Sequence, residues 1–235
     1  LIIHSISMRI LLKPCFFLLL IINTSCRETT DKKNIVSNDV IETIDSSEVK
    51  TAKDKIILFF GDSLTAGLGL QTEEAFPALI QHRLDSLGLS YKVVNAGLSG
   101  ETTASGKNRV SWVLNQKVAV FVLELGANDG LRGIPLQETR KNLQLIIDMV
   151  QEKNSETKII IAGMQIPPNL GIEYTAEFRN IFPEIAKKNN LELIPFLLEN
   201  VAGIPALNQK DGIHPTSEGH KIVAQNTWAV LEKEL

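Results

Sequence analysis

From residue 55 onward, short, mainly apolar, strand-like runs alternate with longer stretches that mix apolar and polar positions. The apolar runs are 56–60, 91–95, 118–124, 158–162 and 191–194. Each is strand length, and 56–60, 118–123 and 159–162 lack the in-out alternation of a strand wetted on one side. A sheet covered on both faces has strands of this kind, because every side chain points into a layer of helix. The intervening stretches 76–87, 103–114, 136–153 and 174–189, with a last one at about 217–233, carry helical spacing. Thr72, Glu73 and Glu74 form a start signal for the first helix, with Pro77 in its first turn and Gly88 as its stop. Strand and helix alternating in this way predict an α/β fold with a parallel sheet between helices.

The N-terminal part has a different texture. Met8 is the expected start of translation, Arg9 and Lys13 make a basic front, and 16–22 is an unbroken apolar run. The run is short for a membrane span and suits the core of a signal peptide. It leads into Asn23-Thr24-Ser25-Cys26. A small residue before a cysteine looks like a bacterial lipoprotein processing site, with Cys26 taking the lipid. Asn23 departs from that pattern, and ordinary cleavage near Ser25 is the alternative. Residues 1–26 are therefore expected to be a signal peptide, on an exported protein that is periplasmic or anchored to a bacterial membrane through Cys26. Residues 27–54 are rich in Glu, Asp, Lys, Ser, Thr and Asn and contain no aromatic residue. They read as a solvated tether with a reach of about 30 Å, with a weak helix at about 38–50. The folded domain is expected at 55–235.

Composition narrows the function. At 44% hydrophobic and 22% charged, with a formal net charge of −3, the chain is ordinary globular material without a basic stripe for nucleic acid. Its two cysteines, Cys15 and Cys26, precede the expected domain, which leaves that domain no disulfide and no thiolate metal site. His4, His82, His214 and His220 show no metal-ligand spacing. His82 and His220 fall on predicted helices and are expected at the surface; Trp112 and Trp228 are expected in the packing. No metal or organic cofactor is implied.

Four short stretches carry chemistry: Gly61-Asp62-Ser63-Leu64, Ser99-Gly100-Glu101-Thr102, Gly126-Ala127-Asn128-Asp129 and Asp211-Gly212-Ile213-His214. Taken alone, the first is equally a strand-to-helix turn. A serine opening a helix also sits where backbone amides favour developing negative charge. In the fourth, an aspartate three residues before a histidine can reach ring Nδ1 across a tight turn, leaving Nε2 free; the alternative is an aspartate that only caps its loop. Gly212 permits that turn and Pro215 stiffens its exit. Gly100 and Asn128 can donate N–H groups to an oxyanion, with the Ser63 amide as a third donor. Asp129 is expected to be structural. All of these lie at predicted strand C-terminal ends or in the loops there, where open α/β sheets build their sites. Two other motifs fail. Gly-x-Ser-x-Gly is broken by Thr65. The stretch from Gly100 to Lys107 has the wrong glycine spacing for a phosphate loop, and Asn108 stands where Ser or Thr should hold magnesium.

These stretches resemble the SGNH, or GDSL, hydrolases, and most of all the bacterial arylesterase, acyl-CoA thioesterase and lysophospholipase group. The resemblance spans nearly all of 56–235 and includes Met164-Gln165-Ile166 and Asp211-Gly212-Ile213-His214-Pro215. It implies a three-layer flavodoxin-like fold around a central five-stranded parallel sheet. It implies Ser63 as nucleophile, His214 as base, Asp211 as its partner, and an oxyanion hole from Ser63, Gly100 and Asn128. Leu131, Ile134 and Pro135 would shape the acyl site, with the loop 167–170 as another wall. The expected activity is hydrolysis of carboxylic esters or thioesters on a small-molecule acyl ester or lipid. A carbohydrate O-acetylesterase and a non-catalytic lipid- or glycan-binding surface lipoprotein are the alternatives.

Overall fold

The computed structural model describes residues 55–235. The expected leader with Cys26, and the expected tether with its weak helix, lie outside the described residues. Five strands alternate with seven α-helices: β1 (Lys55–Gly61), α1 (Ser63–Ala66), α2 (Phe76–Ser86), β2 (Tyr91–Gly97), α3 (Thr103–Val113), β3 (Val118–Glu124), α4 (Ala127–Leu131), α5 (Leu136–Lys153), β4 (Lys158–Ala162), α6 (Ile172–Asn189), β5 (Glu192–Ile194) and α7 (Ser217–Leu231). The sheet is parallel throughout, in the order β2-β1-β3-β4-β5.

The apolar runs are buried because both sheet faces are covered. Ile57, Leu58, Phe59 and Phe60 of β1 and Phe121, Val122 and Leu123 of β3 have no exposed surface. Neighbouring residues serve opposite layers: Phe59 meets Phe76 of α2 edge-on at 5.4 Å, whereas Phe60 faces Gly106 of α3. A Cβ at Gly106 would run into Leu125, so this glycine sets how closely α3 lies on the sheet. α2 packs with α7, and α3 with α5, which packs with α6 in turn. The strand order reverses between β1 and β3, whose crossovers lead to opposite edges of the sheet. That reversal opens a crevice at the C-terminal ends of β1 and β3, the usual place for a site in such sheets.

The structure departs from expectation in several elements of the fold. The signal at Thr72–Glu74 makes a single 3-10 turn, and α2 begins only at Phe76, with Pro77 in its first turn. The edge strand β2 is longer than its apolar run and only half-buried. Trp112 is 79% exposed, because the buried stripe of α3 runs through Thr103, Gly106 and Val110 and Trp112 lies off it. His220 is 1% exposed, because it shares the buried face of α7 with Val223, Ala224 and Thr227. Its Nδ1 accepts the Phe76 N–H at 3.1 Å, satisfying a donor that α2 leaves open in its first turn. Trp228 is buried as expected, under the Arg83 guanidinium.

Candidate active site

The serine turn is forced by crowding at the end of β1. A Cβ at Gly61 would collide with Thr65 Oγ1 and the Glu124 carboxyl, so the chain passes through a gap only glycine leaves. Asp62 then caps α1, its Oδ1 accepting the Leu64 N–H at 3.0 Å. Gly67 closes this four-residue helix in the left-handed region, at φ 75°. Ser63 is the first residue of α1, and its N–H has no acceptor within the helix.

His214 reaches this turn from the loop before α7. Its Nε2 is 2.9 Å from Ser63 Oγ, and its Nδ1 is 2.6 Å from Asp211 Oδ2. Asp211 Oδ1 accepts the backbone N–H groups of Ile213, at 2.9 Å, and His214, at 3.0 Å. The His214 and Ile213 amides, with the imidazole, hold the Asp211 carboxyl down to about 2. The carboxylate is therefore an acceptor only, which places the imidazole proton on Nδ1 and leaves Nε2 to accept from the serine. Gly212, at φ 70°, makes the turn possible.

Two loop amides missed in the sequence hold this segment in place. Gln209 Nε2 donates to Leu68 O at 2.7 Å and to Pro215 O at 3.0 Å, tying the histidine loop to the chain just after α1. Asn208 Nδ2 donates to Val201 O and Ile204 O, which fixes the start of the loop. Neither follows a periodic pattern or stands in a motif, so no sequence signal marks them.

The remaining polar groups come from the loops after β2 and β3. Asn128, in α4, donates from Nδ2 to Asp62 Oδ2 at 3.0 Å. Arg132 Nη2 donates to Asn128 Oδ1 at 3.3 Å and to Gly100 O at 3.1 Å. That contact orients the Asn128 amide with its NH₂ toward the serine turn and links the two loops. Gly100 has φ 79°, a backbone state that favours glycine. Asp129 is structural, as expected: it accepts from Thr103 N–H at 2.8 Å and from the hydroxyls of Thr103 and Thr139. Beneath the turn lies a buried acidic pair. Burial pushes the Asp62 carboxyl up to about 6, against the Leu64 and Asn128 hydrogen bonds. Glu124 is pushed up by burial and by the charge of Asp62.

Ser63, Asn128 and His214 open onto a cavity of about 600 Å³. Leu64, Leu131, Met164, Ile166, Phe196, Leu198 and Ile213 give it largely apolar walls. Leu131 stands where expected, but Ile134 and Pro135 do not line the cavity. The chain turns away at Ile134, whose carbonyl accepts from the Tyr174 hydroxyl at 2.8 Å, and Pro135 caps α5. Of the loop 167–170 only Pro167 reaches the cavity, and Gly100 stays outside its lining. The wall from Phe196, Leu198, Ala202 and Gly203 was not foreseen. Among the described residues no group of three or more His, Cys, Asp or Glu is placed to hold a metal ion.

A hydroxyl, an imidazole and a carboxylate in this line can move a proton off the hydroxyl as it attacks a carbonyl. Comparison with known proteins decides what kind of catalyst this is. The model of the GDSL-like lipase/acylhydrolase family matches residues 59–222. The chain belongs to the GDSL-like lipase/acylhydrolase family. Esterase TesA of Pseudomonas aeruginosa is similar to it at 39% identity, covering 77% of this chain and 90% of that protein. Thioesterase 1/protease 1/lysophospholipase L1 of Escherichia coli K12 is 36% identical over 74% of this chain and 82% of its own length. The crystal structure of esterase EstA from Pseudoalteromonas, inhibited by monoethylphosphonate, superposes with a TM-score of 0.72 at 32% identity, covering 77% of this chain and 98% of that one. This GDSL-like acylhydrolase is accordingly an α/β ester hydrolase, with the parallel-sheet architecture of its family.

Proposed function

We propose that the protein cleaves carboxylic esters or thioesters through an acyl-enzyme formed on Ser63. The reading rests on one observation: Ser63 Oγ is 2.9 Å from His214 Nε2, and the opposite ring nitrogen is 2.6 Å from Asp211. His214 Nε2 takes the serine proton as Oγ bonds to the carbonyl carbon. The Ser63 and Gly100 amides and the second N–H of Asn128 Nδ2 hold the oxyanion. Asp211 stabilises the imidazolium. When the tetrahedral adduct collapses, the ring gives its proton to the leaving oxygen or sulfur. Water, deprotonated by the same nitrogen, then releases the acid and restores the serine.

The apolar walls suit an acyl chain or an aromatic leaving group better than a polar sugar. The expected substrates are short and medium-chain esters, aryl esters, lysophospholipids or acyl thioesters. Hydrolysis of p-nitrophenyl esters of increasing chain length tests this, together with labelling by a fluorophosphonate probe. Ser63→Ala should lose both hydrolysis and label, and unchanged hydrolysis in that variant would overturn the assignment. We further propose that residues 1–26 direct export, that Cys26 carries lipid and that 27–54 tethers the domain from 55 onward to a membrane. The leader composition supports this. Fatty-acid labelling that persists in Cys26→Ala would refute the anchor.

A further inference from the structure

The buried acidic pair has no part in the proton path, yet it lies directly beneath the nucleophile. Glu124 ends β3 and is 1% exposed. Its Oε2 accepts two donors that bracket Ser63: the Asp62 N–H at 3.1 Å and the Thr65 hydroxyl at 2.8 Å. Its other oxygen, Oε1, is fully buried and receives no donor. Asp62 is its immediate neighbour, held through its own N–H and equally buried, and the charge of the Asp62 carboxyl raises Glu124. Two carboxylates cannot bond to one another, and two adjacent buried negative charges repel strongly. One proton between them removes both difficulties.

We propose that Glu124 is a positioning residue for the Ser63 turn, kept neutral and donating its proton to the Asp62 carboxylate. The proton belongs on Glu124 because both Asp62 oxygens already accept, Oδ1 from the Leu64 N–H and Oδ2 from Asn128 Nδ2. The upward push on Glu124 from burial and from the charge of Asp62 acts in the same direction. One neutral acid thereby fixes two parts of the machinery. It clamps Asp62 and Thr65 on either side of the serine. Through Asp62 it also sets the amide of Asn128. The inference rests on the reading of Ser63 as nucleophile.

Glutamine reproduces the neutral acid, with a carbonyl for the two donors and an N–H for Asp62. Glu124→Gln should keep kcat on a p-nitrophenyl ester within about threefold of wild type. Glu124→Ala should lose about 100-fold in kcat with KM little changed, since two buried donors lose their acceptor. The infrared spectrum of the wild type at mildly alkaline pH should contain the carbonyl band of a protonated carboxylic acid. That band should vanish in Glu124→Gln and persist in Ser63→Ala. Absence of the band, or Glu124→Gln as impaired as Glu124→Ala, would overturn the proposal. If Glu124→Ala does not fold, the glutamine variant and the infrared band still decide. Full activity in Ser63→Ala would remove the nucleophile assignment and leave the band intact, so the two failures are distinguishable.

Discussion

His220 makes the acid stability of this domain a measurable quantity. Its ring is buried between α7 and the start of α2, and Nδ1 accepts the Phe76 N–H. Burial, reinforced by His214 and partly opposed by Glu74, lowers it from the ordinary 6.5 to about 4. Between those values the unfolded chain binds a proton that the native state refuses, so stability is full above 6.5 and declines as pH falls toward 4. Moving from about pH 7.5 to about pH 5 crosses roughly 1.5 pH units of that window, a loss of about 2 kcal/mol at roughly 1.4 kcal/mol per unit. Asp62 works the other way: its carboxyl is raised to about 6, so its contribution is lost as pH rises and regained in acid. The wild-type curve alone therefore mixes opposite slopes. His220→Asn separates them, because its amide oxygen can take the place of Nδ1 toward Phe76 and does not titrate. Urea unfolding at the two pH values should show the variant losing about 2 kcal/mol less than wild type on acidification. In thermal melts that is a difference of about 4–8 °C. Parallel pH dependence in the two proteins would refute a neutral, buried His220.

Asn128→Ala should lower kcat by about 10²–10³ with little change in KM, read from ester hydrolysis; a loss below about tenfold would remove Asn128 from the oxyanion site. Arg109→Met should cost about 3–5 kcal/mol in urea unfolding. The reason is that Arg109 pairs with Glu101, whose side chain has no exposed surface and would be left charged and alone. A cost under about 1 kcal/mol would mean that Glu101 is relieved by other means. Gly61→Ala should destabilise by about 1–3 kcal/mol and depress kcat as well, because the added methyl pushes on Thr65 and Glu124 beneath Ser63. Stability lost without any change in kcat would show that the crowding does not reach the nucleophile.

The sheet was legible because strands covered on both faces leave unbroken apolar runs, and the run 118–124 matches β3 residue for residue. The contact of Asp211 with His214 Nδ1 was legible because an i, i+3 spacing is a local property, whereas the pairing of Ser63 with His214 was suggested by the family resemblance. The errors share a cause. Whether Trp112 or His220 is buried depends on which face of its helix meets a neighbour, and α3 mixes polar and apolar residues too evenly to announce a face. Glu124 stood only as the last residue of the run 118–124, and nothing local says that its carboxyl accepts from Asp62 and Thr65 on either side of Ser63. The pocket wall from Phe196 to Gly203 belongs to a loop without period. The loop after Asn128 was expected to contribute three residues, but Ile134, whose carbonyl accepts from Tyr174, and Pro135, which caps α5, do not line the cavity.

The distance along the chain between the proposed nucleophile and its base has a temporal side. Ser63 and His214 are separated by 151 positions, and the histidine loop follows the last strand. A polypeptide emerges N-terminus first. A nascent or truncated chain that has completed all five strands therefore holds a serine with no base beside it. On the proposed mechanism, hydrolytic competence arrives only with the final segment, which Gln209 ties to Leu68 beside the turn at the start of the domain.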